Sequence, residues 1–319
     1  MSITSLLSAP SSSNRAHRAA AAGAGLLVDR LLGEPPRFHP VAGFGTAMGV
    51  IEQPLWSDDR RPGVAYTAAG LSLGLVAGAT VRSTTASVAA CAAGRELRRV
   101  AARIGERCTA GDIEGARAAL PSLVGRDPSG LDERGIAAAV IESLAENSVD
   151  AMVAPALWGA AAGAMGAAGY RAVNTMDAMV GHHSDRYENF GWSSARLDDA
   201  ANLIPARAFA LLVAAVVPSR AAAIRLAVRT QAPAHPSPNA GVAESAVAAA
   251  LGIELGGTLT YGDRIEERPL LGTGTRPVAA DINRAIALVD RVELLLTSLL
   301  ITPAAVALVR RSIRARRER

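Results

Sequence analysis

Long runs without charge alternate with short clusters of charge along this chain. Residues 63–81 carry no charged side chain, which is enough, as a helix, to cross a bilayer core of about 30 Å. Arg82 ends that run, and a second uncharged stretch reaches Gly94. A basic amphipathic helix is expected over Arg95–Arg107, a short helix over Asp112–Leu120 and a turn at Gly125-Arg126-Asp127-Pro128, together forming a polar helical hairpin. Residues 151–170 are again uncharged, with Pro155 expected to kink them, and residues 200–217 are apolar apart from Arg207. The last run, Leu294 to Val309, contains Pro303 and suits a tilted span or an interfacial helix. No repeat, heptad or strand alternation is visible. The pattern predicts an all-α, polytopic integral membrane helical protein with polar helical loops between roughly four to six spans. Residues 1–18, rich in Ser, read as a disordered extension; 19–309 read as a single multi-span membrane catalytic domain, and 310–319 as a basic tail. The basic-then-apolar order around Arg15 to Val28 imitates a signal peptide, but it leads directly into the polar motif Asp29-Arg-Leu-Leu-Gly33-Glu34-Pro35, so retention is expected.

One apolar segment breaks the pattern. Between Gly135 and Gly169 the only charged residues are Glu142, Glu146 and Asp150, spaced by four. On a helix they share one stripe, with Asn147 beside it. Three like charges among Ala, Val, Ile and Leu repel each other and are costly to desolvate, so a cation or a shared proton should compensate them. They are either a wet helix end or a carboxylate cluster for Mg²⁺, a cation that takes oxygen ligands and bridges to phosphates.

Composition narrows the chemistry. Aromatics are only 3% of residues and mean hydropathy is +0.22, so apolar volume is mostly small and aliphatic, as in close-packed membrane helices. All 33 basic residues are Arg. Without Lys there is neither a P-loop nor a Schiff base. The net charge of +4 reflects Arg clusters flanking apolar runs, and without interleaved aromatics it does not point to nucleic acid. Cys91 and Cys108 form neither a disulfide framework nor a metal signature.

Further polar constellations follow the stripe. Asn174 and Asp177 lie one turn apart in Tyr170–Trp192, the most polar and aromatic stretch, which also holds Tyr187. His182 and His183 are adjacent and therefore diverge, which makes a poor chelate. Arg196, Asp199 and Asn202 share a helix face, while Arg207 either snorkels to the interface or pairs with an anion inside. His235-Pro-Ser-Pro-Asn239-Ala-Gly241 is a rigid loop before a small-residue helix bearing Glu244, and Glu266-Glu267-Arg268-Pro269 reads as an exposed charged turn. Each admits a loop or capping explanation as well as a functional one.

Taken in order, these motifs resemble the membrane-bound adenosylcobinamide-phosphate synthases of cobalamin biosynthesis, over about Leu26 to Leu271. The resemblance rests on Asp29-x-x-x-Gly33-Glu34-Pro35 with His39-Pro40-Val41, on Val124-Gly125-Arg126-Asp127, and on Glu142-Ser-x-Ala-Glu146-Asn147. It continues through Tyr170-Arg-Ala-Val-Asn174-Thr-x-Asp177, Tyr187-x-x-Phe190-Gly191-Trp192 and Ala195-Arg196-Leu-Asp198-Asp199 to Ile204-Pro205-Ala-Arg207. It closes with His235-Pro-Ser-Pro-Asn239-Ala-Gly241 and Glu267-Arg268-Pro269. His182-His183 departs from it, standing where an aromatic and a Lys are expected. The resemblance implies a ligase that joins aminopropanol phosphate, or a related amino alcohol, to the free carboxylate of adenosylcobyric acid with ATP and Mg²⁺. It further implies a multi-pass place in the cell membrane, in contact with lipid and with other cobalamin-assembly enzymes. Carried onto this chain, Glu142, Glu146, Asn147, Asn174, Asp177, Tyr187, Arg196, Asp199 and Arg207 are the expected catalytic residues. Asp29, His39, His235, Asn239 and Glu244 are the expected substrate contacts, and Glu142, Glu146 and Asp150 the expected Mg²⁺ ligands.

Two rival readings stay open. An intramembrane Mg²⁺-dependent prenyl- or phospho-transferase would need a second acidic pair on another span, for which Asp198-Asp199 is a poor version. A small transporter would predict symmetry between halves, which the sequence lacks.

Overall fold

A computed structural model describes residues 12–33, 39–125, 127–261 and 264–317. The first eleven residues, and Glu34, Pro35 and Arg126 of the quoted motifs, lie outside them. Among the described residues the fold is helical apart from one hairpin. Helix α1 (Ser12–Leu32) begins inside the stretch expected to be disordered. It is followed by α2 (Pro40–Leu55), α3 (Arg60–Val81), α4 (Thr84–Cys91), α5 (Gly94–Thr109) and α6 (Ile113–Ala119). The acidic helix α7 (Glu133–Ser148) passes through a π-helical turn at Val149–Val153 into α8 (Ala154–Val180). After α9 (Trp192–Val216), α10 (Ala221–Thr230) and α11 (Ala240–Leu251) come strands β1 (Glu254–Tyr261) and β2 (Arg264–Gly272), and α12 (Ala279–Arg317) closes the chain. The basic tail is thus helical up to Arg317.

Three of these segments are long and apolar enough to cross a membrane: α3, the continuous α7–α8 unit, and α9. The run at Leu294–Val309 lies within α12.

Small residues let the spans approach closely. Along α3, Gly63, Gly70, Gly74 and Gly78 are buried. A Cβ at Gly74 would stand 2.5 Å from the Ala172 Cβ, and one at Gly78 2.6 Å from the Ala164 carbonyl oxygen. Such contacts replace the hydrophobic drive that lipid-immersed helices lack.

Two internal prolines each strand one carbonyl, and in both cases another segment satisfies it. Pro155 has no N–H for the Ala151 oxygen, which instead accepts from the Ala93 N–H at 3.0 Å. The π turn just before Pro155 absorbs the clash of its ring, so the kink expected at Pro155 becomes a bulge. The sharpest break in α8 falls at Gly163 (φ 71°, ψ −151°). Likewise Pro205 strands the Ala201 oxygen, which accepts from Trp158 Nε1 at 3.1 Å.

The hairpin β1–β2 was not visible in the sequence because Gly256 and Gly257, at φ +84° and +91°, form a bulge that breaks strand alternation. It roots on α11, whose twelve residues are all buried. Gln231 clamps its base, donating to the Gly272 carbonyl at 3.3 Å and accepting the Gly272 N–H at 2.8 Å.

Helices α1, α5 and α12, which pack on the candidate spans, are joined by ion pairs. Arg30 contacts Asp290 at 2.7 Å and Glu293 at 2.9 Å, and Arg98 contacts Glu293 at 2.6 Å. The hydrogen bond from Arg30, then its charge and that of Arg98, hold the Asp290 carboxyl below the usual carboxylate range despite partial burial. A depressed folded value means stability that is present above the ordinary Asp value of about 3.9 and is lost as pH falls through the folded value. Solvent screening keeps this contribution under about 1 kcal/mol. Acidification from pH 7 to about 3 should therefore lower Tm less in Asp290→Asn than in the unchanged protein, measured by thermal unfolding in detergent.

Candidate functional site

The acidic helix forms one wall of a two-lobed cleft. The smaller lobe, about 160 Å³, is lined by Glu142, Ser143, Glu146, Asn147, His235, Glu244 and Arg268, with the backbones of Gly125 and Gly256. The larger, about 420 Å³, is lined by Glu146, Asp150, Asp177, Asp198, Asp199, Asn202, His235, Asn239 and Arg268 among others. Glu146, His235 and Arg268 belong to both lobes and form the waist between them. A third depression of about 230 Å³ opens between α5 and α8 and shares Asn147 with the smaller lobe and Asp150 with the larger.

The stripe of three acids is real, but its members have different partners. Glu142 is buried and its Oε1 accepts the Gly256 N–H at 2.8 Å, which ties α7 to the bulge of β1. Asp150, carried on the π turn, accepts from the Tyr170 hydroxyl at 2.8 Å and from Asn202 Nδ2 at 3.0 Å. Glu146 is exposed into the waist and makes no side-chain hydrogen bond among the described residues. The bulge of β1 and the partners on α8 and α9 thus engage two of the expected Mg²⁺ ligands, Glu142 and Asp150, and leave Glu146 open. Among the described residues no three His, Cys, Asp or Glu side chains converge in metal-binding geometry.

What the structure adds is a second acidic helix opposite the first. On α9, Asp198 faces Asp150, and neutral amides bridge them: Asn202 Nδ2 donates to Asp150 Oδ1 and to Asp198 Oδ2, both at 3.0 Å. Asn174 Nδ2 approaches Asp198 Oδ1 at 3.4 Å, and its own Oδ1 accepts from Arg171 at 3.0 Å. Amide donors satisfy carboxylate lone pairs without adding charge, which accounts for Asn at both positions. Asp177 makes no side-chain hydrogen bond among the described residues, and Asp199 has only Arg196 at 4.0 Å. Asp150 and Asp198 are therefore bound into the framework, whereas Glu146, Asp177 and Asp199 keep oxygens for a ligand. That donor set does not cage an ion, but it fits Mg²⁺ arriving on phosphates, which needs only one or two protein carboxylates.

The cation anticipated beside the stripe is Arg268, on β2 opposite Gly257, reaching both lobes. Read as part of an exposed turn, it was missed because the strand that aims it was not recognised. His235 and Glu244 are buried, with His235 Nε2 at 3.7 Å from Glu244 Oε1. Asn147 points back to Ser143, donating to its carbonyl at 2.9 Å and its hydroxyl at 2.8 Å. Asn239 donates to the Asp199 carbonyl at 2.8 Å.

Five expected site residues line none of these three depressions. Among the described residues Arg207 makes no ion pair with the stripe or with any other carboxylate. Its guanidinium donates to Leu203 O at 2.9 Å, Asn239 Oδ1 at 3.1 Å and Pro238 O at 3.4 Å, pinning the proline loop to α9. Arg196 is largely exposed at 69%. Tyr187 donates to Glu52 on α2 at 2.9 Å, within a separate cluster around Tyr66 and Phe190. His39 caps α2, its Nδ1 accepting from Val41 N at 3.3 Å. Asp29 is buried at the start of α5, accepting from Arg95 N at 3.2 Å. All five are placed by the fold as caps, ties or rim residues. His182 and His183 border the larger lobe, and His183 pairs with Glu188 at 2.9 Å.

Comparison with known proteins gives a consistent result. The family model described as CobD/Cbib protein matches residues 22–289. A cobalamin biosynthesis protein CobD of Mycobacterium tuberculosis is 43% identical over 279 residues, covering 83% of this chain and 88% of that protein. One from Chromobacterium violaceum is 40% identical over 283 residues, covering 83% and 90%. One from Rhodobacter capsulatus is 51% identical over 191 residues, covering 60% of each. No solved structure matches the chain.

Proposed function

The chain belongs to the CobD/Cbib protein family, and on that premise we propose that it is an adenosylcobinamide-phosphate synthase. In this reading it joins the amine of aminopropanol phosphate, or a related amino alcohol, to the free carboxylate of adenosylcobyric acid, consuming ATP with Mg²⁺. It works as a multi-pass protein of the cell membrane, beside other cobalamin-assembly enzymes. The observation that carries the chemistry is the waist of the cleft, where Glu146, open to a ligand, stands with Arg268 between two lobes.

A ligase of this kind must make a poor electrophile reactive. Phosphorylation of the corrinoid carboxylate by ATP gives an acyl phosphate; amine attack then forms the C–N bond and expels inorganic phosphate. Glu146, Asp177 and Asp199 are the residues that would hold Mg²⁺, which when bound neutralises and orients nucleotide phosphates. Arg268 supplies the cation a phosphoryl group requires in a chain without Lys. Asp150 and Asp198, held by Asn202, fix the spacing of the two acidic helices. The larger lobe, at about 420 Å³, lies in the range of small-ligand pockets and is too small for a corrin macrocycle. The corrinoid therefore rests outside and extends only its carboxylate arm.

One observation favours the transferase rival: Asp177 on α8 and Asp198-Asp199 on α9 line the same lobe. One assay separates the two. Detergent-purified protein given adenosylcobyric acid, ATP, Mg²⁺ and aminopropanol phosphate should yield the amide by mass, and none when ATP or Mg²⁺ is omitted. Absence of product with every amino alcohol tried, or transfer from a prenyl diphosphate without ATP, sinks the ligase reading.

A further inference from the structure

At the waist of the cleft, Arg268 Nη1 lies 2.7 Å from His235 Nε2. A guanidinium stays charged in proteins and only donates. His235 Nε2 therefore presents its lone pair and the ring proton sits on Nδ1; of the two Ser237 groups 3.1 Å from Nδ1, the carbonyl accepts that proton and the N–H finds no lone pair there. The charged Arg268 contact thus selects, over the competing Ser237 N–H contact, the neutral Nδ1-protonated form of a buried imidazole. The same nitrogen is 3.7 Å from Glu244 Oε1, a carboxylate suited to stabilise the imidazolium once a proton arrives. A base with its counter-charge already in place is thus covered by an arginine that reaches both lobes.

From this geometry we propose that Arg268 is a substrate-released cap on His235, and that His235 is the base for amine attack in the ligase reaction, on which this inference rests. A phosphate or carboxylate oxygen is a stronger acceptor for a guanidinium than an imidazole nitrogen. An anionic substrate group entering the waist draws the Arg268 N–H off Nε2 and exposes its lone pair. The amine nitrogen then bonds to the activated carbonyl carbon. One N–H proton passes to His235 Nε2, and the C–O bond to phosphate breaks, its electron pair leaving with the phosphate. Glu244 holds the imidazolium until the proton is lost to solvent. Coupling the base to anion binding keeps it from activating water while the site lacks substrate.

Two arms test this. In amide-formation kinetics, His235→Gln should lose about a hundredfold in kcat with little change in KM. Arg268→Met should instead raise KM for the anionic substrates about tenfold or more and increase ATP hydrolysis unaccompanied by amide, with Arg268→Lys recovering much of both. Arg268→Met leaving KM and uncoupled hydrolysis unchanged, or His235→Gln keeping full kcat, overturns the proposal. The second arm needs no turnover. In protein labelled with ¹⁵N-histidine, which has five histidines, the His235 signals, assigned by their loss in His235→Gln, should show an unprotonated Nε2. That Nε2 signal should shift when millimolar inorganic phosphate is added, and should not shift to the same extent in folded Arg268→Met. A resting His235 protonated at Nε2, or no response to phosphate, refutes the cap even if the protein is an active ligase. Failure of the unchanged protein to make amide refutes the ligase reading instead, whatever the spectra show.

Discussion

Glu146→Gln should reduce amide formation about a thousandfold, a loss of about 4 kcal/mol of transition-state stabilisation, and leave the protein folded in the membrane. The two halves of this expectation have separate causes. Glu146 is exposed into the waist and makes no side-chain hydrogen bond among the described residues, so an isosteric amide removes nothing from the fold. The amide also removes the one stripe carboxylate that the structure leaves open to a cation. The check is growth of a cobalamin auxotroph from cobyric acid, with membrane fractions blotted for the protein. Growth equal to that of the unchanged protein contradicts a catalytic stripe. Glu142→Gln should behave differently, because Glu142 is buried and anchors the bulge at Gly256 at 2.8 Å.

The second large effect is structural. Gly191→Ala should cost about 3 kcal/mol or more and lower Tm by about 6 °C or more. At Gly191 an added Cβ would overlap the Val180 carbonyl oxygen, and at Gly63 one would overlap the Phe190 carbonyl oxygen. Neither obstacle is a flexible side chain; both are backbone. They bracket Phe190, which is fully buried against Tyr66 with ring centroids 5.2 Å apart. Gly49, where a Cβ meets nothing within 4 Å, is the matched control and should tolerate Ala with little change in Tm. Product formation should fall together with stability at Gly191, since the connection from α8 to α9 sets the approach of Asp177 to Asp198. Unfolding curves for Gly191→Ala and Gly49→Ala that superimpose would contradict this packing.

The membrane helices were legible because their signal is local. The uncharged runs at 63–81 and 151–170, and the run at 200–217 charged only at Arg207, fall in α3, in the π turn with α8, and in α9, and Asp112 and Asp132, the latter before the acidic helix, cap α6 and α7. The stripe was legible for the same reason, since charge in an apolar helix is visible at spacing four. What escaped notice depends on tertiary contact. The bulge at Gly256-Gly257 hid a hairpin and, with it, the aim of Arg268. Arg207 looked like an anion's partner because its apolar surroundings gave no hint that Asn239 and two carbonyls would take its donors. Asp29, His39 and Tyr187 carry the family resemblance well, yet the fold uses them at helix ends and against α2. A motif marks a residue as needed without saying whether chemistry or architecture needs it.

The most direct test of the central claim follows oxygen from the corrinoid carboxylate. With adenosylcobyric acid labelled by ¹⁸O in both carboxylate oxygens, purified protein, ATP, Mg²⁺ and aminopropanol phosphate should give an amide retaining one ¹⁸O. Inorganic phosphate carrying the other should form in equal amount. Amide formed alongside unlabelled phosphate, or no amide at all, would contradict ATP-driven acyl-phosphate ligation in this cleft.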